Sequence, residues 1–224
     1  MNDDLKRQLG YALVAHSPAI GRAFASIHNN DILLDRGRFS VEPGFHNSWP
    51  RKVVLDGVSM SGSAVKDALE LSQYWLERMI PVPLANLDLN HGVDFIVWGR
   101  HRYAVRTQFA GEYSTICIRW SRETGERTEA DKILACETRA DYFIHVYATA
   151  KPGALPGVWN VQTNRIYIAP IREIQRRLNE IKGGNLTGAR FTYPPKDGKG
   201  QQTFVAIDVD TMNLAYSASR GGNL

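Results

Sequence analysis

Arginine side chains concentrate in one stretch of this sequence, between Phe95 and Arg122. That stretch contains five arginines and a single acidic residue, Glu112. Guanidinium groups bind phosphate oxygens through paired hydrogen bonds, so a local excess of arginine is typical of a phosphate-binding surface. A solvated sheet face would show the same excess. The five are Arg100, Arg102, Arg106, Arg119 and Arg122.

Two of these arginines are predicted to share one face of a strand. Residues 102–109 have the composition of a strand, in which alternate side chains point to the same side. Arg102, Ala104, Arg106 and Gln108 therefore lie on one face. The opposite face carries mostly apolar and aromatic residues, so the arginine face is the one expected to meet a polar partner.

The elements that position these residues alternate between helix and strand. The order from residue 61 onward is helix, three strands, helix, further strands, helix, which predicts an α/β fold with a mixed central sheet flanked by helices. The predicted helices are 5–16, 19–27, 61–80, 128–138 and 171–181. The predicted strands are 93–98, 102–109, 114–120, 141–147, 159–161, 165–170 and 203–209.

Composition excludes several classes of protein. With 224 residues, 43% apolar and 22% charged, the chain is neither disordered nor fibrous. No apolar run reaches the length of about 18 residues that a membrane-spanning helix needs, and the acidic N-terminus lacks a signal-peptide core. Two separated cysteines predict a reducing, cytoplasmic location without a zinc cluster. The net charge of +4 permits a nucleic-acid partner without requiring one.

Four segments resemble the PD-(D/E)XK, or restriction-endonuclease-like, superfamily of nucleases. They are SGSAVKDALELSQYWLERMIPVP, HGVDFIVWGRHRYAVRTQF, RADYFIHVYA and NRIYIAPIREI. The resemblance implies a nuclease-like core at residues 61–182, a helical and irregular N-terminal extension at 1–60, and a strand-containing tail at 183–224 that packs on the core.

The resemblance also implies a hydrolase site that cuts DNA with magnesium or manganese. Asp94 matches the metal-binding aspartate of the family, and Glu70 on the preceding helix matches an additional acidic ligand. Arg106 stands where the family has a catalytic lysine, and Gln108 lies two residues further along the strand. The implied catalytic residues are therefore Asp94, Glu70, Arg106 and Gln108, with Asp94 and Glu70 on the metal.

The second strand departs from the family pattern. Ala104 stands where the family has glutamate or glutamine, and alanine cannot bind a metal. Arginine at position 106 keeps the positive charge but cannot lose its proton. Asp94 also has a purely structural interpretation, as a carboxylate that caps a turn at the start of a strand.

Two functional outcomes follow and stay open at this point. Gln108, Glu112 or Glu70 could replace the missing ligand, which would give an endonuclease. Otherwise the fold is an inactive one that binds DNA, or that acts as an assembly or inhibitory factor. In either case Arg100, Arg102, Arg106 and Arg119 are the expected DNA-binding residues. The resemblance allows a homodimer. A Ser-His-Asp triad and a Walker-type phosphate loop find no support in the sequence.

Overall fold

The computed structural model describes about two thirds of the chain. The described residues are 1, 5–6, 9–10, 13, 17–27, 39–41, 52–55, 58–60, 92–97, 101–109, 111–154, 158–194 and 201–219. The predicted helix at 61–80 lies outside them.

The described elements form a mixed α/β fold in which strands predominate. In chain order they are α1 (Pro18–Ile27), β1 (Phe39–Val41), β2 (Lys52–Leu55), β3 (Val58–Met60), β4 (Phe95–Val97), β5 (His101–Gln108), β6 (Thr115–Arg122), α2 (Glu129–Leu134), β7 (Tyr142–Pro152), β8 (Val158–Pro170), α3 (Ile171–Lys182), β9 (Ala189–Thr192), β10 (Gln202–Asp208), a short 3-10 helix (Val209–Thr211) and β11 (Tyr216–Ser219). Residues 5, 6, 9, 10 and 13 also have helical backbone.

The larger sheet has the strand order β1-β4-β5-β7-β8-β2-β3 among the described residues. The β5–β7 and β2–β8 pairs are parallel and the others antiparallel, so the predicted mixed sheet is confirmed. The connection from β5 to β7 contains α2, as a parallel pair requires a crossover. β8 is long enough to pair along one edge with β2 at its start and β11 at its end.

The third predicted strand does not join this sheet. β6 pairs with β10, and β10 pairs with β9, in a separate three-stranded antiparallel sheet. The sequence predicted a single sheet, because alternation identifies a strand but not its neighbours. The strands β1, β2, β3, β9 and β11 were not among the predicted strands either.

Two hydrophobic cores cover the two faces of the larger sheet. On one face, Leu9, Leu13, Ile20 and Phe24 of the N-terminal helical residues pack against strand residues that include Tyr103. On the other face, the sheet packs against the small sheet, α2 and α3. The larger sheet is therefore the middle of three layers.

Several predicted elements have different bounds in the structure. The helix predicted at 128–138 ends at Leu134, and Cys136 two residues later has a φ of 57°, which a helix cannot contain. The segments 159–161 and 165–170 form one continuous strand, β8. The helix at 171–181 is confirmed as α3. Within the described ranges, no helix has both the length and the apolar character to cross a bilayer.

Candidate functional site

A cavity of about 1080 Å³ lies where β5 extends beyond β4. The pairing of β4 stops at Phe95 opposite Tyr103, whereas β5 continues to Gln108. Residues 104–107 of β5 line the cavity on one side, and residues around the start of α2 line it on the other. The cavity therefore occupies a stretch of sheet edge that no described strand pairs with, between two layers.

Asp94 uses its carboxylate to cap this sheet edge. The backbone N–H of Val105 donates to Asp94 Oδ2 at 2.7 Å, and the N–H of Asp94 donates to the carbonyl of Tyr103 at 2.8 Å. The side chain thus supplies the hydrogen bond that a longer β4 would have supplied. Gly92, with a φ of +62°, makes the turn that leads into Asp94.

Glu129, the first residue of α2, links two strands of different sheets. Its Oε2 accepts hydrogen bonds from Arg106 Nη2 at 2.7 Å and from the backbone N–H of Arg119 at 3.0 Å. Arg106 lies on β5 and Arg119 on β6. Their guanidinium carbons lie 5.1 and 5.5 Å from the centre of the Phe204 ring, within the range of cation–π attraction.

The lining of the cavity is more basic than acidic. Among the described residues that line it, seven are basic and four are acidic. The basic ones are Lys6, Arg106, Arg119, Arg122, Arg127, Lys132 and Arg139; the acidic ones are Asp94, Glu126, Glu129 and Glu137. Three glutamates form ion pairs with lining arginines, namely Glu129 with Arg106, Glu126 with Arg122 and Glu137 with Arg127. The described part of the lining therefore carries a formal excess of three positive charges.

A buried histidine lies behind the arginines. His145 of β7 is opposite Arg106 in the strand register and is fully buried. Its Nδ1 accepts the backbone N–H of Cys117 at 3.1 Å, so its proton is on Nε2, for which no partner is described. Burial, with the charge of Arg106 in addition, lowers the pKa of His145 to about 3. The imidazole is therefore neutral at physiological pH.

No protein-family model, curated protein or solved structure matches this chain.

The structure brings several of the predicted site residues together. Asp94, Arg106 and Arg119 all line the cavity, as does Ala104, the residue that departs from the nuclease pattern. Gln108 lies on the same strand but does not line the cavity. Glu70 and Arg100 lie outside the described residues.

Arg102 binds an aspartate instead of lining the cavity. Its Nη2 and Nε donate to Asp141 Oδ1 and Oδ2 at 2.7 and 3.1 Å, and its backbone N–H donates to Oδ2 at 2.9 Å. Burial raises the pKa of Asp141, but the hydrogen bonds from Arg102 outweigh burial and bring the pKa below its usual value. Arg102 thus connects the start of β5 to the residue that precedes β7.

The described residues do not by themselves form a metal site. No group of three histidine, cysteine, aspartate or glutamate side chains within the described ranges could hold an ion. Asp94 Oδ2 and Glu129 Oε2 accept hydrogen bonds from Val105, Arg106 and Arg119. The hydrogen-bond donors at this end of β5 suit an anion better than a cation.

The sequence did not identify the residues that come from α2 and its flanks. Glu129, Lys132, Arg127 and Arg139 were not among the predicted site residues. Their part in the cavity depends on β6 lying in the second sheet, which brings the 123–139 segment over the end of β5. Residues 119–139 contain five basic and five acidic residues, so the composition of this segment did not indicate its part in the cavity.

Proposed function

We propose that this protein binds DNA, with the sugar-phosphate backbone in the cavity at the end of β5. The observation that carries the proposal is the excess of basic over acidic side chains among the described lining residues. Lysine and arginine side chains that neutralise phosphates supply the sequence-independent part of DNA affinity.

The lining favours contact with phosphates over contact with bases. Among the described residues of the lining, one is aromatic, Phe143, and it is fully buried. A stacking platform for unpaired bases needs an accessible aromatic face. We therefore expect binding that depends little on DNA sequence.

The proposal is tested by titrating labelled DNA, both duplex and single-stranded, at several salt concentrations. The affinity should fall linearly with salt on a logarithmic scale. Lys132→Gln and Arg139→Gln should each weaken binding for all sequences and reduce the slope by about 1. Arg190→Gln is the matched control, because Arg190 is an exposed arginine on β9 that does not line the cavity. Equal losses of DNA affinity in all three variants, or no loss in any of them, would contradict the proposal.

Metal-dependent cleavage of DNA is the second candidate function. The observation in its favour is that Asp94 and Arg106 line the same cavity, as the resemblance to PD-(D/E)XK nucleases implies. The test is incubation of plasmid and single-stranded DNA with Mg²⁺ or Mn²⁺, comparing the wild type with Asp94→Asn. The asparagine keeps an oxygen for the Val105 N–H, so the sheet edge stays capped.

The outcomes separate the candidates. Cleavage by the wild type that disappears in Asp94→Asn would establish a nuclease. Binding that falls with salt but is not followed by cleavage would establish a DNA-binding protein on the same fold. If the protein neither binds nor cleaves DNA, an assembly or inhibitory role with a protein partner remains.

A further inference from the structure

We infer that the Arg106 guanidinium and the backbone N–H of Arg119 form a phosphate-binding subsite, in which the carboxylate of Glu129 takes the place of a phosphate group. The inference rests on the proposed DNA binding and adds that Glu129 lowers the affinity of the protein for DNA. Glu129 is then an internal competitor of DNA.

The geometry of the two donors supports this assignment. Arg106 Nη2 and the Arg119 N–H come from different sheets and converge on one oxygen, Glu129 Oε2, at 2.7 and 3.0 Å. A guanidinium and a backbone amide that share one anionic oxygen form the kind of contact that phosphate oxygens make. A phosphodiester carries the same single negative charge as the carboxylate, so the exchange leaves the local charge unchanged.

Both donors are held in place independently of Glu129. The Arg119 backbone is fixed by the pairing of β6 with β10, in which Arg119 lies opposite Phe204. The Arg106 guanidinium lies near the Phe204 ring, 5.1 Å from its centre. Removal of the carboxylate would therefore leave the subsite formed.

Arg106 has donor capacity that the carboxylate does not use. A guanidinium has five N–H donors. Its hydrogen bond to Glu129 uses Nη2 alone. Nε is buried, so the donors that a ligand could share are those of the two terminal nitrogens. The side chains of Arg106 and Glu129 are 19% and 24% exposed, so a ligand in the cavity can reach both. A phosphate group brings more acceptor oxygens to the guanidinium than one carboxylate oxygen does.

The test compares two glutamates of the same cavity. Glu129→Gln removes the charge that is paired with Arg106, whereas Glu126→Gln removes an equal charge that is paired with Arg122. We expect Glu129→Gln to bind DNA about tenfold more tightly than the wild type, because a charge-assisted hydrogen bond no longer competes. Glu126→Gln should tighten DNA binding about twofold, because it removes one exposed negative charge.

A second pair of variants identifies the donor. In the Arg106→Gln background, adding Glu129→Gln should raise the DNA affinity by no more than the twofold expected of Glu126→Gln. Glu129→Asp keeps the charge but shortens the side chain, so it should give an intermediate gain. Equal gains from the two glutamate variants, or weaker binding by Glu129→Gln, would overturn the inference. Circular dichroism verifies that each variant is folded.

The failure of this inference is distinguishable from the failure of the proposed function. Suppose that the wild type binds DNA in a salt-sensitive way, but Glu129→Gln gains no more affinity for DNA than Glu126→Gln does. That result rejects the role of Glu129 as a competitor and leaves the proposed DNA binding standing. If no variant binds DNA, the proposed function fails, and titration of Glu129→Gln with inorganic phosphate decides on the subsite. Phosphate binding that is lost in the double variant with Arg106→Gln supports the subsite, and absence of phosphate binding overturns it.

Discussion

At the scale of single residues, two of the four carboxylates that line the cavity also satisfy backbone groups. Asp94 caps the N–H of Val105, and Glu129 caps the N–H of Arg119. A backbone N–H without a partner costs free energy, so a carboxylate at such a place has a structural reason to be there. The turn-capping interpretation of Asp94 from the sequence and its position in the cavity are both consistent with the structure.

Substitution of Asp94 separates these two roles. Asp94→Ala leaves the Val105 N–H without its acceptor and should lower the free energy of unfolding by about 1–2 kcal/mol. Asp94→Asn retains an acceptor oxygen and should cost less than about 1 kcal/mol. Urea unfolding of both variants and the wild type measures the difference. Equal losses in the two variants would show that the charge, not the hydrogen bond, is what stabilises the strand edge.

At the scale of elements, the important feature is the edge of β6 that faces away from β10. Four backbone groups along this edge bond to side chains instead of to a neighbouring strand. They are the carbonyl of Thr115 with Tyr147 Oη, the N–H of Cys117 with His145 Nδ1, the N–H of Arg119 with Glu129 Oε2, and the carbonyl of Trp120 with Thr128 Oγ1. These contacts satisfy four backbone groups on an edge of β6 that pairs with no described strand, which alternation in the sequence could not indicate.

His145 in this edge makes stability depend on pH. The unfolded chain protonates histidine near pH 6.5, but burial lowers the pKa in the folded state to about 3, with a smaller effect of Arg106. Between these values the unfolded state binds one more proton. The free energy of unfolding should therefore fall by about 1.4 kcal/mol for each unit that the pH drops.

His145→Gln removes this dependence. Glutamine can accept the Cys117 N–H through its amide oxygen but does not titrate. We expect the variant to lose less stability than the wild type between pH 6 and pH 4, with slopes that differ by about 1.4 kcal/mol per pH unit. Urea unfolding at each pH, referred to each protein's own value at pH 7, measures the slopes. Parallel slopes would show that His145 is not the titrating group.

At the scale of the whole molecule, the periodicity of the sequence predicted six of the eleven described strands and α3, but not their arrangement in layers. The alternation at 102–108 correctly placed Ala104 and Arg106 on one face, and both line the cavity with Asp94. The contact of Glu129 with both arginines was not predictable, because it depends on which sheet β6 joins. Alternation specifies the face of a strand, whereas its partners are fixed by tertiary packing.

The N-terminal helical residues pack on the larger sheet. Leu13, within the segment that the resemblance gives as an N-terminal extension, is fully buried in the same core cluster as Tyr103 and Ile144 of that sheet. Gly10 approaches β5 so closely that a Cβ there would lie 3.1 Å from Thr107 Cβ. Because the layer and the sheet share one core, Leu13→Ala should lower the free energy of unfolding by about 2–5 kcal/mol. The unfolding curves from circular dichroism and fluorescence should still coincide in a single transition. An additional early transition in the variant, with the main transition unchanged, would instead mean that the N-terminal helices fold as a separate unit.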